Sequence, residues 1–319
     1  MSNRKTPKCC LIVLNYNGKD LLRPCLDSVR RQTYDDFETL VVDNGSVDGS
    51  PEMVARDYGW VRTIALQENS GFSIANNVAI RDALARDVPF VMLLNNDTTI
   101  HPDCIAELMA ATEADERIAV LCPKIYFANP PDTLWYAGGD FSLWTAKARM
   151  RGWKQKDEGQ WDCSNGVTCV TGCALLLRSS ALRNVGLLDE QFWAYLEDLD
   201  WSIRFLRAGY KLGFVPAAHV WHCDGATSVR SMSRGSQRLR QFLSTRNLVL
   251  IARKHVRWWQ MPTFVAGFFL THVAFFTVLR IARRDGKALS AIYRGIFAGL
   301  RDGTPTSVLK GQTSGLRAS

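Results

Sequence analysis

The apolar run Pro89–Leu93 constrains the fold more than any other segment, because it offers no polar residue to either face of a strand. A strand that is apolar on both faces has to be covered on both, and helices do this in parallel α/β sheets. The run continues into Leu94–Thr98, which places two amides and the carboxylate of Asp97 at its end. Ligands of open α/β sheets bind just beyond the carboxyl ends of strands. The segment therefore predicts a ligand site at Asp97, or else a turn and helix cap, for which Asp and Thr are equally suited.

Apolar segments and helical patterns alternate through the first two thirds of the chain. The predicted strands are Cys10–Leu14, Thr39–Val42, Val61–Leu66, Phe90–Leu94, Ile118–Leu121, Val167–Leu177 and Lys211–Val215. The predicted helices are Asp20–Arg31, Pro51–Tyr58, Ser73–Arg86, Pro102–Ala114 and Glu197–Ala208. Strands separated by helices of this length predict right-handed βαβ units in a single, mostly parallel α/β sheet. Residues 126–167 show no clear period and are expected to form an irregular excursion beside the site.

Charge divides the chain into two parts. Residues 230–319 hold 16 Lys and Arg against only Asp285 and Asp302, a net charge of +14, whereas residues 1–229 are mildly acidic. We therefore expect a folded domain at 1–229 and a basic helical extension at 230–319. Such an extension suits nucleic acid or an anionic membrane surface. The odd number of cysteines and the polar start of the chain, without a secretory signal, favour the cytoplasm.

The extension also contains 20 residues without a formal charge, Gln260–Leu279, followed by an amphipathic pattern at Leu289–Leu300. The length is sufficient for a membrane span. Basic residues on both sides disfavour a single pass, because the positive-inside rule would place both flanks in the cytosol. We predict an anchor lying in the cytoplasmic membrane interface, with a span and a dimerisation helix as alternatives. The Phe-rich segment and the lack of a binding motif make nucleic acid an unexpected partner.

Polar residues also follow the first three predicted strands. Asn15 and Asn17 follow the first strand, and Asp43 follows the second, where it could accept hydrogen bonds from a base or a ribose or could be a turn carboxylate. Asn69 and Gly71 follow the third, where a glycine lets the backbone approach a ligand and the next helix favours anions. No G-x-G-x-x-G follows the first strand, which disfavours a dinucleotide enzyme.

A second group of acids, Glu197, Asp198 and Asp200, lies among aromatic residues. Acids in the first turn of a helix are often only partners of its dipole. In partly dry surroundings, however, one of them would have a raised pKa and could act as a general base. His222, expected in a loop after the last strand, is either structural or a metal ligand.

In this order, the segments resemble glycosyltransferase family 2, the inverting transferases with a GT-A fold, and in particular its rhamnosyltransferase-like branch. The motifs that carry the resemblance are Leu11–Gly18, Val41–Ser46, Glu68–Phe72, Leu94–Thr98, Thr171–Ala174, Glu197-Asp198 and the His222 loop, with Arg246-Asn247 fitting the branch. They extend from about residue 8 to residue 228, which covers the predicted domain.

The resemblance implies a role for each matching residue. The nucleoside would be held by Asn15, Asn17 and Asp43, and the diphosphate side would be lined by Asn69, Gly71 and Asn76. Asn95 and Asn96 would also bind the donor. Asp97, with His222, would ligate a divalent cation, Mg²⁺ or Mn²⁺, and Asp198, beside Glu197, would be the general base. The family's Asp-x-Asp is Asn95-Asn96-Asp97 here, which lowers the charge of the site and would weaken metal binding.

The implied activity is inverting transfer of a sugar from a nucleotide-diphosphate donor, with dTDP-rhamnose expected first and a UDP-sugar second. The acceptor would be a hydroxyl of a glycan or polyprenyl-linked glycan at the inner face of the cell membrane, and a second copy of the chain is a further candidate partner. Two alternatives stay open. Asn95 is compatible with a nucleotide-sugar-binding protein without catalysis, and the basic tail with a nucleic-acid-binding protein.

Overall fold

The computed structural model describes residues 6–163, 166–223 and 234–301. Its strands are β1 (Cys9–Asn15), β2 (Phe37–Asp43), β3 (Arg62–Ala65), β4 (Phe90–Asn95), β5 (Thr98–Ile100), β6 (Ile118–Phe127), β7 (Leu134–Tyr136), β8 (Gly139–Ser142), β9 (Lys147–Met150), β10 (Ala174–Arg178) and β11 (Lys211–His222). Its helices are α1 (Lys19–Val29), α2 (Ser50–Asp57), α3 (Phe72–Ala85), α4 (Cys104–Ala111), α5 (Ser179–Val185), α6 (Glu197–Arg207), α7 (Arg234–His255), α8 (Met261–Phe268), α9 (Phe275–Ala282) and α10 (Gly286–Leu300). A 3-10 turn covers Glu190–Phe192, and a π-helical segment, Phe269–Ala274, joins α8 to α9.

One large sheet runs in the order β3-β2-β1-β4-β10-β6-β11-β5, with β7 added beside β6. Strands β1 to β4 form the parallel half that the sequence predicts. Their carboxyl ends are in register, since Asn15 is opposite Asp43 and Leu14 is opposite Asn95. The polar residues that follow separate strands are therefore brought to one edge of the sheet.

Strand β10 enters this sheet antiparallel to both neighbours, β4 and β6. Its first residue, Ala174, is opposite Leu94, and the N–H of Asn95 donates to the carbonyl of Cys173 at 3.0 Å. The residues just before β10 consequently lie beside the end of β4. This insertion places the Thr171–Ala174 motif next to Asn95-Asn96-Asp97.

The core follows from the apolar strands at the centre of the sheet. Leu11, Ile12, Val91 and Met92 are completely buried, and α1 and α3 contribute side chains to the same cluster. Burial of each large aliphatic side chain stabilises the fold by about 1.5–3 kcal/mol. The central, doubly covered strand predicted from Pro89–Leu93 is confirmed.

Three predicted elements need correction. The predicted strand Val167–Leu177 is wrong in its first part, where Val167 and Cys169 make only isolated bridges before β10 begins at Ala174. The hydropathy of the run continues through the turn at Gly172, so no apolar pattern marks the break. The predicted strand Lys211–Val215 continues past an irregularity to His222, which ends a strand and is not in a loop. The segment 126–167, predicted irregular, contains β7 and the hairpin β8–β9.

Helix α7 packs against the loop that precedes α6. The charge division of the sequence assigns α7 to the basic extension at 230–319. Its side chains Phe242, Leu243 and Asn247 are almost completely buried. On its other side it approaches α10 so closely that a β-carbon on Gly295 would lie 2.7 Å from the carbonyl oxygen of Phe242. Only a glycine permits this helix separation.

The segment Met261–Ala282 forms one helix that is long and apolar enough to cross a membrane, with a mean hydropathy of 1.8. It also has a protein-facing side. Phe264 is 2% exposed, Thr245 Oγ1 lies 2.9 Å from His272 Nε2, and Gly267 lies against the backbone of Thr145 in the β8–β9 turn. The opposite side is open, because only 11% of the apolar window is buried.

Candidate active site at the carboxyl edge of the sheet

Asn15 forms hydrogen bonds with residues at the carboxyl ends of the neighbouring strands. Its Nδ2 donates to Asp43 Oδ1 at 3.1 Å and to Ser50 Oγ at 2.8 Å, while its Oδ1 accepts a hydrogen bond from Asn96 Nδ2 at 2.8 Å. Asn15 is 1% exposed, so its amide is engaged by the protein on both sides. This arrangement gives Asn15 a positioning role, because it orients Asp43 and Asn96 from the strand between them.

The loop after β2 interlocks with the loop after β1. The backbone N–H of Ser46 donates to Asp43 Oδ2 at 2.9 Å, and the N–H of Val47 donates to Asn17 Oδ1 at 2.8 Å. Gly45 has a φ of +78°, and a β-carbon there would lie 2.7 Å from the backbone of Glu68. The three strand ends β1, β2 and β3 therefore share one rigid polar surface, with the exposed Asn17 at its rim.

The loop after β3 leads directly into α3. Asn69 Oδ1 accepts hydrogen bonds from the N–H of Gly71 and from Asn44 Nδ2, each at 3.0 Å. Gly71 has a φ of +90°, and a β-carbon there would lie 2.6 Å from the ring of Trp193. Asn76, in the second turn of α3, is 1% exposed and donates to the carbonyl of Phe72 at 3.0 Å.

Asp97 and His222 form the candidate metal pair. His222 Nε2 lies 3.4 Å from Asp97 Oδ1, and the N–H of Cys223 donates to the carbonyl of Asp97 at 2.8 Å. The ring of Trp135 covers the imidazole edge-on at 4.8 Å. Both side chains are at least nine-tenths buried; Asp97 lies in the short turn between β4 and β5, and His222 is the last residue of β11.

The chemistry of this pair fits a divalent cation. One carboxylate oxygen and one imidazole nitrogen suit Mn²⁺, and a carboxylate with phosphate oxygens suits Mg²⁺. His222 Nδ1 is buried and has no hydrogen-bond partner among the described residues. No contact at Nδ1 therefore determines which ring nitrogen carries the proton. Across those same residues no group of three or more His, Cys, Asp or Glu side chains could hold a metal. A cation held by Asp97 and His222 would need further ligands beyond these two side chains.

Glu197 and Asp198 begin helix α6. Asp198 Oδ2 accepts a hydrogen bond from the N–H of Gly172 at 2.9 Å, and its Oδ1 accepts one from the N–H of Leu199 at 2.8 Å. Burial raises the pKa of Asp198 in spite of these two bonds. Burial, and secondarily the neighbouring charge of Asp198, raises the pKa of Glu197 well above its ordinary value. Glu197 is 5% exposed, and its Oε2 has no hydrogen-bond partner in the described part of the chain.

The two halves of the site are joined through the residues before β10. The N–H of Asn95 bonds to the carbonyl of Cys173, and the N–H of the preceding residue, Gly172, bonds to Asp198. Asp198 is consequently connected, through two adjacent residues, to β4, the strand that leads into Asp97. A carboxylate able to accept a proton and a pair able to hold a cation thus share one edge of the sheet.

Sequence reasoning missed the role of Arg246 and Asn247, which it noted only by resemblance. Arg246 Nη1 donates to the carbonyl of Gln191 at 2.8 Å, and Asn247 Nδ2 faces carbonyl oxygens of the loop before Glu197. The available signal was a polar Thr-Arg-Asn triplet directly before the apolar run Leu248–Ala252 of α7.

Asp200 links helix α6 to the end of α7. It is completely buried and accepts hydrogen bonds from Arg204 Nε and Lys254 Nζ at 2.7 Å, with His255 Nε2 at 2.8 Å. Burial alone would raise the pKa of Asp200, but the bond from His255 and the charges of Arg204 and Lys254 hold that pKa well below its ordinary value. Asp200 is therefore a structural anion and not a proton acceptor.

Known structures share this architecture. A mannosyltransferase from Pyrobaculum calidifontis, solved with GDP-Man and Mn²⁺, is 16% identical and superimposes with a TM-score of 0.56, covering 99% of this chain and 82% of that one. GalNAc-T7, solved with UDP, GalNAc and Mn²⁺, is also 16% identical, with a TM-score of 0.58 over 79% of this chain and 48% of that one. The fold is the GT-A fold.

Sequence relatives are glycosyltransferases as well. The N-acetylglucosaminyl-diphospho-decaprenol L-rhamnosyltransferase of Mycobacterium tuberculosis is 27% identical over 274 residues, which cover 79% of this chain and 86% of that protein. The putative glycosyltransferase EpsH of Bacillus subtilis is 35% identical over 132 residues, 40% of this chain and 36% of that one. The family model described as glycosyl transferase family 2 matches residues 10–184, more than half of the chain. The protein therefore belongs to glycosyl transferase family 2.

Proposed function

We propose that this protein transfers a sugar, with inversion, from a nucleotide-diphosphate donor to a hydroxyl of a glycan or lipid-linked glycan acceptor during the assembly of a cell-surface polysaccharide. The observation that carries the proposal is the Asp198 carboxylate, held by the Gly172 N–H beside β4, the strand that leads into Asp97. A base and a binding surface for a charged leaving group are needed together for direct displacement.

Asp198 accepts the proton of the acceptor hydroxyl, and the resulting oxygen nucleophile attacks the anomeric carbon from the face opposite the nucleotide. The raised pKa of Asp198 makes its carboxylate more basic than an exposed one, which favours proton transfer. Such a base contributes about 10²–10⁴-fold to the rate. A divalent cation held by Asp97 and His222 would supply positive charge next to the departing diphosphate.

The proposed donor is dTDP-rhamnose, with a UDP-sugar second. Support comes from the resemblance to the rhamnosyltransferase branch and from the L-rhamnosyltransferase relative of Mycobacterium tuberculosis. The nucleoside would lie against Asp43 and Asn17, and the diphosphate would lie between Gly71 and Asp97. The decaprenol in that relative's name supports a polyprenyl-linked acceptor.

A lipid-linked acceptor fits the open side of helix Met261–Ala282. Its exposed apolar side chains include Leu270 at 67% and Val278 at 68% exposure, and Trp258 nearby is 80% exposed. Exposed basic residues follow at Arg283 and Arg284. Because the opposite side is packed on the protein, this helix suits a monotopic anchor lying in the cytoplasmic interface.

The experiment that tests the function is thermal unfolding of the full chain with a panel of nucleoside diphosphates and nucleotide sugars, each with and without Mn²⁺. A ligand at about 100 times its Kd stabilises the native state by roughly 2.7 kcal/mol. We expect a cation-dependent shift with one nucleotide sugar, followed by slow hydrolysis of that donor. Stabilisation without hydrolysis or transfer would favour a non-catalytic binding protein, for which Asn95 in place of a carboxylate is the motivating observation.

A further inference from the structure

The loop before the proposed base has an uncommon backbone. Trp193, Tyr195 and Leu196 have φ angles of +62°, +70° and +65°. Left-handed conformations of non-glycine residues are disfavoured by about 1–2 kcal/mol each, and a loop that contains three of them needs external support. Asp198 is only two residues beyond this loop. The position of the base therefore depends on what holds this loop as well as on the Gly172 N–H that bonds its carboxylate.

Asn247 of α7 provides that support. Its Nδ2 lies 2.9 Å from the carbonyl oxygen of Phe192, 2.9 Å from that of Ala194 and 2.6 Å from that of Tyr195. An amide NH₂ has two protons, so the three carbonyls share two donors. The orientation of the amide is fixed, because Arg246 Nη1 donates to Asn247 Oδ1 at 2.8 Å. Asn247 is completely buried.

The loop that Asn247 holds also touches the donor side of the site. The ring of Trp193 lies against Gly71, and the carbonyl of Trp193 accepts a hydrogen bond from the N–H of Ser73 at 3.1 Å. Ser73 and Gly71 are at the start of α3, where the diphosphate is proposed to lie. One short loop thus connects the donor side to the first residues of α6.

We propose that Asn247 is a positioning residue for the transfer reaction, holding the left-handed loop 193–196 so that Asp198 stays aligned with the bound donor. The inference rests on the proposed function of Asp198. Asn247 lies outside the strand-end cluster and contacts the base only through the loop. A misplacement of reacting groups by about 1 Å lowers a rate by roughly 10²-fold. Loss of the hydrogen bonds from Asn247 to the loop, which we call the clamp, should therefore reduce turnover strongly.

The test compares Asn247→Ala and Asn247→Asp with the wild-type full chain. Aspartate keeps the size of the side chain but removes both N–H donors and directs an oxygen at three carbonyls. Thr245→Val is the matched control, since it removes a buried hydroxyl that lies against His272 and not against the loop. Hydrogen exchange of the peptide that covers residues 191–199 is measured first, because it needs neither donor nor acceptor.

We expect faster exchange in residues 191–199 for both Asn247 variants and wild-type exchange there for Thr245→Val. With dTDP-rhamnose and Mn²⁺, kcat should fall by about 10²-fold while KM for the donor changes by less than about threefold. Wild-type kcat in a folded Asn247 variant overturns the proposal. If Asn247→Ala does not fold, Asn247→Ser, which keeps one donor, decides the question by the same two readouts.

The measurements distinguish a wrong positioning role for Asn247 from a wrong proposed function. If the wild type turns over no donor but the Asn247 variants loosen residues 191–199, the clamp exists and the proposed function is wrong. If the wild type is active and the variants neither loosen the loop nor lose kcat, the positioning role is wrong and the function stands.

Discussion

The N–H of Gly172 donates to Oδ2 of Asp198 at 2.9 Å, and this bond connects a turn of the sheet to the first turn of a helix. The turn is held in place by β10, which begins two residues later and pairs with β4. The proposed base is therefore positioned by the sheet that also carries Asp97. Its orientation does not depend on a flexible loop alone.

Replacing Asp198 by Asn removes the proton acceptor and keeps the size of the side chain, although its one oxygen can accept only one of the two backbone N–H groups that Asp198 accepts. We expect transfer to fall by at least about 10²-fold, because that is the lower end of what a general base supplies. Donor affinity, measured by thermal shift, should be close to wild type. Glu197→Gln serves as the adjacent control for charge. Turnover at the wild-type rate in Asp198→Asn would falsify the assignment of the base.

Glu197 should make stability depend on pH. Its pKa is raised in the folded protein, so between its ordinary value of 4.5 and its folded pKa the native state binds more protons than the unfolded state. Stability then falls as the pH rises through this window. Glu197→Gln should raise Tm relative to wild type at pH 8 and lose that advantage near pH 4. Parallel curves for the two proteins across this range would contradict the prediction.

Asp97 and His222 should control the response to the cation. Asp97→Asn removes the only carboxylate of the proposed pair, and we expect the Mn²⁺-dependent part of the donor-induced thermal shift to disappear. His222→Gln should weaken it by about 10–100-fold in apparent metal affinity, since an oxygen donor replaces the imidazole. Titration of Mn²⁺ at saturating nucleotide sugar measures both. An unchanged Mn²⁺ titration in both variants would remove these residues from the metal site.

The strand-end residues were predictable because the sheet imposes their meeting. Asn15 and Asp43 follow apolar strands, and parallel pairing in register brings their side chains within 3.1 Å. The local pattern predicted both strand ends, and the structure supplied the pairing of β1 with β2. The order of the motifs then predicted that Asp97 and Asp198 belong to the same site.

The contacts of Asn247 could not be predicted from the sequence because they connect distant parts of the chain. Asn247 reaches Tyr195 over 52 positions, and no hydropathy pattern reports a contact of that kind. Asn76 donates to the carbonyl of Phe72, four residues earlier, and its place at the diphosphate stays a prediction. The break at Gly172 was hidden because apolar residues occur on both sides of the turn.

Asp200 should matter for stability rather than for chemistry. Asp200→Asn leaves Arg204 and Lys254 facing a neutral amide in a buried position. Removing one partner of a buried charge network destabilises a protein by about 3–5 kcal/mol. We expect a correspondingly lower midpoint in urea unfolding and, for the fraction that is folded, a donor-induced thermal shift like that of wild type. A midpoint within error of wild type would show that the network contributes little.

Leu270 and Val278 should carry membrane binding. Burying such a side chain is worth about 1.5–3 kcal/mol, so each change to Gln should lower partition onto anionic liposomes by roughly tenfold. Val47→Gln is the control, because Val47 is 90% exposed on the other part of the protein. Flotation with vesicles that contain anionic lipid measures the effect. If the wild type does not float, or if a variant with both Leu270→Gln and Val278→Gln floats as well as the wild type, the proposed anchor is wrong.

Gly267 lies so near Thr145 that a β-carbon would be 2.1 Å from the Thr145 carbonyl oxygen. The apolar helix and the β8–β9 turn thus touch backbone to backbone, with no side chain between them to absorb movement. The Gly139 carbonyl of that hairpin accepts the N–H groups of Thr168 and Cys169, in the segment that leads to Gly172. A bilayer that held this helix would therefore also set the distance of Asp198 from the lipid surface. That distance would determine which hydroxyl along a lipid-linked glycan can reach the base.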